Sequence, residues 1–117
     1  MTRAGSLLVV DDNEANRDAL SRRLGLKGYA VTLAAGGEEA LTRIASDTFD
    51  LVLLDVEMPG VSGFDVLTRV RQRHTPTQLP VIMVTARTDG TDIVEAFRLG
   101  ANDYVTKPID FPVALAR

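Results

Sequence analysis

The sequence predicts an α/β domain: five parallel strands in the order 2-1-3-4-5, with helices on both faces of the sheet. Three observations lead there. Short continuous apolar runs recur at Leu7-Leu8-Val9-Val10, Leu51-Val52-Leu53-Leu54 and Val81-Ile82-Met83-Val84. Runs of this length bounded by polar residues read as strands buried on both faces, as in parallel sheets. Between them lie stretches with apolar residues at helical spacing. Strand–helix alternation, in turn, implies parallel strands joined by right-handed crossovers. At 117 residues, 45% apolar and 25% charged, the chain has the size and balance of one globular domain.

Leu7–Val10 is the first strand, and the helix after it carries Ala15, Ala19, Leu20 and Leu24 on one face. Ala30–Leu33 is a weaker signal, expected as a short or edge strand. A second helix follows with Ala40, Leu41, Ile44 and Ala45 on one face. After the third strand, Leu67 and Val70 mark a third helix; after the fourth, Ile93, Ala96, Phe97 and Gly100 mark another. Asp103–Thr106 is the second weak strand. Gly28, Gly60, Gly90 and Gly100 punctuate the joins. Asp110–Arg117 reads as the opening of a fifth helix, truncated before it can cover the last strand, so residues 1–117 are expected to be one domain cut from a longer protein. Five strands so connected have the flavodoxin-like order, in which ligands bind at the carboxyl ends of the strands.

Composition removes several function classes. With 13 Lys plus Arg against 16 Asp plus Glu the net charge is -3, whereas a direct nucleic-acid binder would carry a basic excess. The absence of cysteine excludes disulfides, thiolate metal sites and Cys nucleophiles. No apolar run approaches the roughly 18 residues of a membrane span, and Met1–Ser6 is too short and polar for a signal peptide. A cytoplasmic protein without a membrane partner is expected. The glycines spell neither a dinucleotide nor a P-loop fingerprint.

Asp11 and Asp12 directly follow the first strand and Asp55 follows the third, so the topology would bring three carboxylates to one edge of the sheet. Like charges that close disfavour one another unless a cation neutralises them. Carboxylate oxygens without His or Cys suit Mg²⁺. Asp11 or Asp12 capping the helix that begins near Glu14 is the competing explanation. The fourth strand ends in Thr85-Ala86 and the fifth in Thr106-Lys107-Pro108, which adds a hydroxyl and an ammonium to the same edge. Together they could hold an anion beside the metal.

With those positions assembled, the chain resembles a response-regulator receiver domain. The likeness rests on the acidic pair, Asp55 followed by Met58-Pro59-Gly60 and Gly63, Thr85-Ala86, Tyr104 and Lys107-Pro108, and runs from Leu7 to Phe111. The resemblance implies that Asp55 accepts a phosphoryl group from a phosphohistidine on a histidine kinase or histidine phosphotransfer protein. Mg²⁺, for which Mn²⁺ could substitute, would be held by Asp12, Asp55 and the backbone carbonyl of Glu57, with Asp11 acting through a coordinated water. Thr85, Ala86 and Lys107 would bind the phosphoryl oxygens, Pro59, Gly60, Gly63 and Pro108 would shape the loops, and a cis bond is expected before Pro108. Thr85 drawn to the phosphoryl group would vacate space for Tyr104, changing the surface of the fourth helix, fifth strand and fifth helix.

Beyond the resemblance, Glu57 and Arg87 flank the pocket, and their pairing is expected to lengthen the life of the aspartyl phosphate. Kinase pairing is expected to lie in exposed residues of the first helix, Asn16, Leu20 and Arg23. His74 reads as a surface residue, Met58 as a loop residue and Met83 as core. The downstream effector lies outside the chain, and a homodimer is compatible. The chain reads as a signalling switch that promotes its own phosphorylation and dephosphorylation, and not as an enzyme acting on other substrates. Two other functions compete with this one. A phosphorylation-independent binding module is disfavoured by the intact Asp11, Asp12, Asp55, Thr85 and Lys107. A Mg²⁺-dependent aspartyl-phosphate phosphatase is disfavoured because Glu57 stands where those enzymes place a second Asp.

Overall fold

The apolar runs become the interior of the sheet. In the computed structural model, which describes residues 5–85 and 90–106, the strands are β1 (Ser6–Val10), β2 (Ala30–Ala34), β3 (Leu51–Asp55), β4 (Val81–Thr85) and β5 (Asp103–Thr106). They pair in parallel in the order β2-β1-β3-β4-β5. The two weak strand signals occupy the two edges, where one face of pairing is absent and less apolar continuity is needed. Helices α1 (Glu14–Leu26), α2 (Gly37–Ser46), α3 (Gly63–Arg71) and α4 (Gly90–Arg98) connect them. The expected fifth helix lies outside the described residues. Among the described residues no helix is long and apolar enough to cross a membrane.

Because strand side chains alternate between faces, each apolar run feeds two cores. Leu8, Val10, Val52, Leu54, Val81 and Met83 point to one side and meet Ala40, Val66, Leu67, Val70 and Ala96 from α2, α3 and α4. Leu7, Val9, Leu53, Ile82 and Val84 point to the other and meet Leu24 of α1.

Helix rotation departs from the expected faces in three places. Ala15 and Ala19 are exposed, and α1 turns Leu20 and Leu24 inward with Arg17 on the same stripe. An alanine buries too little area to orient a helix against a leucine worth about 2 kcal/mol when buried. This also corrects Leu20, expected on the open surface but packed against the core. Ala45 is exposed at the end of α2. On α4, Ile93 and Ala96 face the core, joined by Leu99 just past the helix end, while Phe97 is 48% exposed; Gly100 follows at φ 101°, a conformation that favours glycine.

Arg71 ties the end of α3 to two distant segments. Its Nε donates to Gly100 O at 2.8 Å, its Nη1 to Leu79 O at 2.8 Å, and its Nη2 to Asn102 Oδ1 at 2.9 Å. The same Asn102 oxygen accepts from the Val81 N–H at 3.0 Å, and its Nδ2 donates to Pro76 O at 3.1 Å. Burial lowers the Arg71 pKa from its ordinary value, and the cation is satisfied by this set of carbonyl dipoles. The α3–β4 and α4–β5 connections are thereby held together at the end of the sheet away from the carboxylates. His74, expected on the surface, is half-buried there and lines a groove between the ends of α2 and α3 with Ile44, Phe49 and Leu79.

Candidate functional site

The carboxyl ends of β1 and β3 carry the acidic residues, as their sequence positions require. Asp11 follows β1 and is 2% exposed; its N–H donates to Ala34 O at 3.1 Å, continuing the pairing with β2 by one residue. Asp55 is the last residue of β3 rather than the first beyond it, and is 5% exposed. Asp12 is exposed. Each of the three offers a carboxylate oxygen, and these oxygens all lie within 4.8 Å of one another.

Helix capping does not account for the pair. Asn13 is the N-cap of α1, its side chain accepting from the Asn16 N–H at 3.0 Å. Asp11 sits two residues earlier, its Oδ1 accepting from the Asn13 N–H at 2.9 Å. Asn13 follows the ordinary preference for a short polar cap, a signal present in the sequence beside the acidic pair.

Two buried carboxylates and a third beside them form an oxygen-only donor set. Carboxylates gathered this closely repel one another, and a small hard cation removes that cost. Donors without nitrogen or sulfur fit Mg²⁺, which binds through one or two carboxylates while retaining waters. The residues present therefore fit a divalent cation. Glu57, exposed, enters through its main chain, with its N–H donating to Asp55 Oδ1 at 3.3 Å.

The loop after Asp55 is shaped by close approach. The Gly63 N–H donates to Val56 O at 3.0 Å, and a Cβ at Gly63 would lie 2.1 Å from Asp55 O. Only glycine allows α3 to start against the end of β3. Ser62 caps α3, accepting from the Asp65 N–H at 3.2 Å, while Asp65 accepts from the Ser62 N–H at 3.3 Å. Gly60 takes φ 77°, Pro59 beside it is exposed, and Met58 reaches down from the loop into the core at 8% exposed.

Thr85 closes β4, 1% exposed, beside β3, where Asp55 pairs with Val84. Tyr104 is 8% exposed in the core cluster that includes Met83, its register partner on β4. Thus Asp11, Asp12, Asp55, Glu57 and Thr85 gather at one edge of the sheet, with Tyr104 packed beneath it on β5. Ala86, Arg87, Lys107 and Pro108, with the expected cis bond, lie outside the described residues.

A family model for the response regulator receiver domain matches residues 7–117. The chain belongs to the response-regulator receiver family. This receiver is 45% identical over 113 residues to the uncharacterized transcriptional regulatory protein YkoG of Bacillus subtilis, covering 97% of the chain and 49% of that relative. It spans about half the length of such curated relatives. Among solved structures, the Vibrio cholerae chemotaxis protein CheY4 superposes with a TM-score of 0.88 at 32% identity, covering 98% of this receiver and 95% of that chain. The response regulator TrrA of Thermotoga maritima, solved in complex with Mg²⁺-BeF, has a TM-score of 0.84 at 34% identity, covering 95% of the receiver and 93% of TrrA. The fold, the family and the two-component signalling class are as the residues implied.

Arg17, which no motif in the sequence marks, also reaches the site: its guanidinium Nη1 donates to the Asp11 carbonyl at 2.7 Å. Its signal was the spacing of Arg17 with Leu20 and Leu24, which puts all three on one face of α1.

Proposed function

We propose that this receiver is a phosphorylation switch in which Asp55 accepts a phosphoryl group from a phosphohistidine on a histidine kinase or phosphotransfer protein. The observation that carries the proposal is the convergence of Asp11, Asp12 and Asp55 within 4.8 Å, with Asp55 buried beside Thr85. A carboxylate oxygen of Asp55 attacks phosphorus, the P–N bond to the donor imidazole breaks, and the imidazole leaves with that electron pair. When bound, Mg²⁺ supplies charge neutralisation for the phosphoryl oxygens. The chain's own part is to position and to offset charge, which is most of what phosphoryl transfer needs.

In this reading Asp12, Asp55 and the Glu57 carbonyl would hold the ion directly, and Asp11 would act through a coordinated water. Thr85 donates its hydroxyl to a phosphoryl oxygen, Lys107 pairs first with Asp55 and then with the phosphoryl group, and the Ala86 main chain contributes beside them. Contacts made only in the phosphorylated state bias the switch, since a ligand shifts an equilibrium by its differential affinity. Thr85 and Tyr104 carry that bias to the surface of α4, β5 and the following segment. Glu57 paired with Arg87 across the pocket shields the aspartyl phosphate from an in-line water; Arg87→Ala then shortens its half-life, and an unchanged half-life refutes that role. The output is relayed to an effector domain or protein beyond this chain, in the cytoplasm, with a second copy of the receiver as a compatible partner.

The test is intact mass after incubation with acetyl phosphate, with and without Mg²⁺, alongside Asp55→Asn. The expected result is one hydroxylamine-labile phosphoryl adduct that requires Mg²⁺ and is absent from the variant. No adduct on the folded protein would replace this reading with a phosphorylation-independent binding module.

A further inference from the structure

Arg17 is half-buried on the inward stripe of α1 with Leu20 and Leu24, a costly place for a cation whose stem could reach solvent. Its Nη1 donates to Asp11 O at 2.7 Å, the carbonyl of the peptide that joins the two acidic residues. The rest of Asp11 is held as well. Its N–H donates to Ala34 O at 3.1 Å, its Oδ1 accepts from Asn13 N–H at 2.9 Å, and its Oδ2 accepts from Asn16 Nδ2 at 3.5 Å. Asp12 is exposed, so its direction depends on the backbone that delivers it. A peptide unit is planar and rigid, and the way its carbonyl points constrains how the next residue leaves.

We propose that Arg17 is a positioning residue for the divalent-cation site: by fixing the Asp11–Asp12 peptide from α1, it holds the Asp12 carboxylate toward Asp11 and Asp55. The inference rests on reading the three carboxylates as a Mg²⁺ site. Partners outside the direct ligands commonly change metal affinity by about 10- to 100-fold when removed. A competing role makes the opposite prediction. If the guanidinium acts through its charge alone, it competes with the ion, and its removal tightens Mg²⁺ binding.

The experiment is calorimetric titration of MgCl₂ into the wild-type protein, Arg17→Ala, Arg17→Lys and Leu20→Ala, with thermal melts of each in chelator. The expected result is that Arg17→Ala binds Mg²⁺ about tenfold more weakly or worse, while Arg17→Lys, which keeps a charged donor, stays nearer the wild type. Leu20→Ala, on the same helix face, lowers the melting temperature and leaves the Mg²⁺ affinity unchanged, which separates positioning from helix stability. Equal or tighter binding by Arg17→Ala overturns the inference. If Arg17→Ala fails to fold, Arg17→Gln is read by the same criterion, being neutral with a shorter donor. A wild-type protein that binds no Mg²⁺ overturns the metal reading and the inference with it; wild-type binding matched by Arg17→Ala overturns the inference alone.

Discussion

Gly63→Ala places one methyl group where the backbone of β3 already stands. The added Cβ would lie 2.1 Å from Asp55 O and 2.9 Å from both Asp55 C and Val56 Cα, more than an ångström short of ordinary van der Waals contact with the oxygen. All three atoms are main chain, at the end of a strand paired on both sides, so no side chain can rotate away. The first turn of α3 must lift, which stretches the Gly63 N–H bond to Val56 O and loosens Val66 and Leu67 in the core. Overpacking usually costs about 1–3 kcal/mol, and a contact against backbone alone belongs at the upper end, about 3 kcal/mol. For a domain of this size that is a fall of roughly 12 °C in Tm, at about 4 °C per kcal/mol. Urea unfolding followed by circular dichroism measures it, with an unchanged m-value showing that stability alone has moved. The same substitution at Gly25, within α1 and with nothing inside 4 Å of its Cβ, should stabilise by about 0.5–1 kcal/mol. A Gly63→Ala protein within about 1 kcal/mol of the wild type would refute the reasoning, because α3 would then yield more easily than the contact implies.

Three further outcomes follow from the structure. Arg71→Met removes the donors shared by Gly100 O, Leu79 O and Asn102 Oδ1 and should cost about 2–4 kcal/mol by urea melts; Arg71→Lys should recover only part, since one ammonium cannot span that fork. Asp55→Asn, melted with MgCl₂ and with chelator, should lose most of the Tm increase that Mg²⁺ produces in the wild type, because one of the three converging carboxylates is gone. Leu24→Ala should cost about 2–5 kcal/mol, while Ala19→Ser on the exposed side of α1 stays within about 0.5 kcal/mol; equal losses would mean that α1 is rotated differently.

What the sequence by itself determined was whatever neighbouring residues encode. Four-residue apolar runs marked the central strands because burial on both faces demands continuity, and the weaker Ala30–Leu33 and Asp103–Thr106 became the edges. Asp11, Asp12, Asp55 and Thr85 were legible as a group because a parallel sheet delivers every strand's carboxyl end to one edge. Tertiary structure decided what depends on partners distant in the chain. Which stripe of α1 turns inward was set by Leu24 filling the far core and by Arg17 finding the Asp11 carbonyl, so Ala15 and Ala19, equally apolar by type, stayed outside. Arg71 gained its role from Gly100 and Asn102, 29 and 31 residues away. Gly63 is required by the carbonyl of Asp55, eight residues earlier in the chain. Local periodicity reports the area a residue can bury; only packing decides which main-chain group it meets.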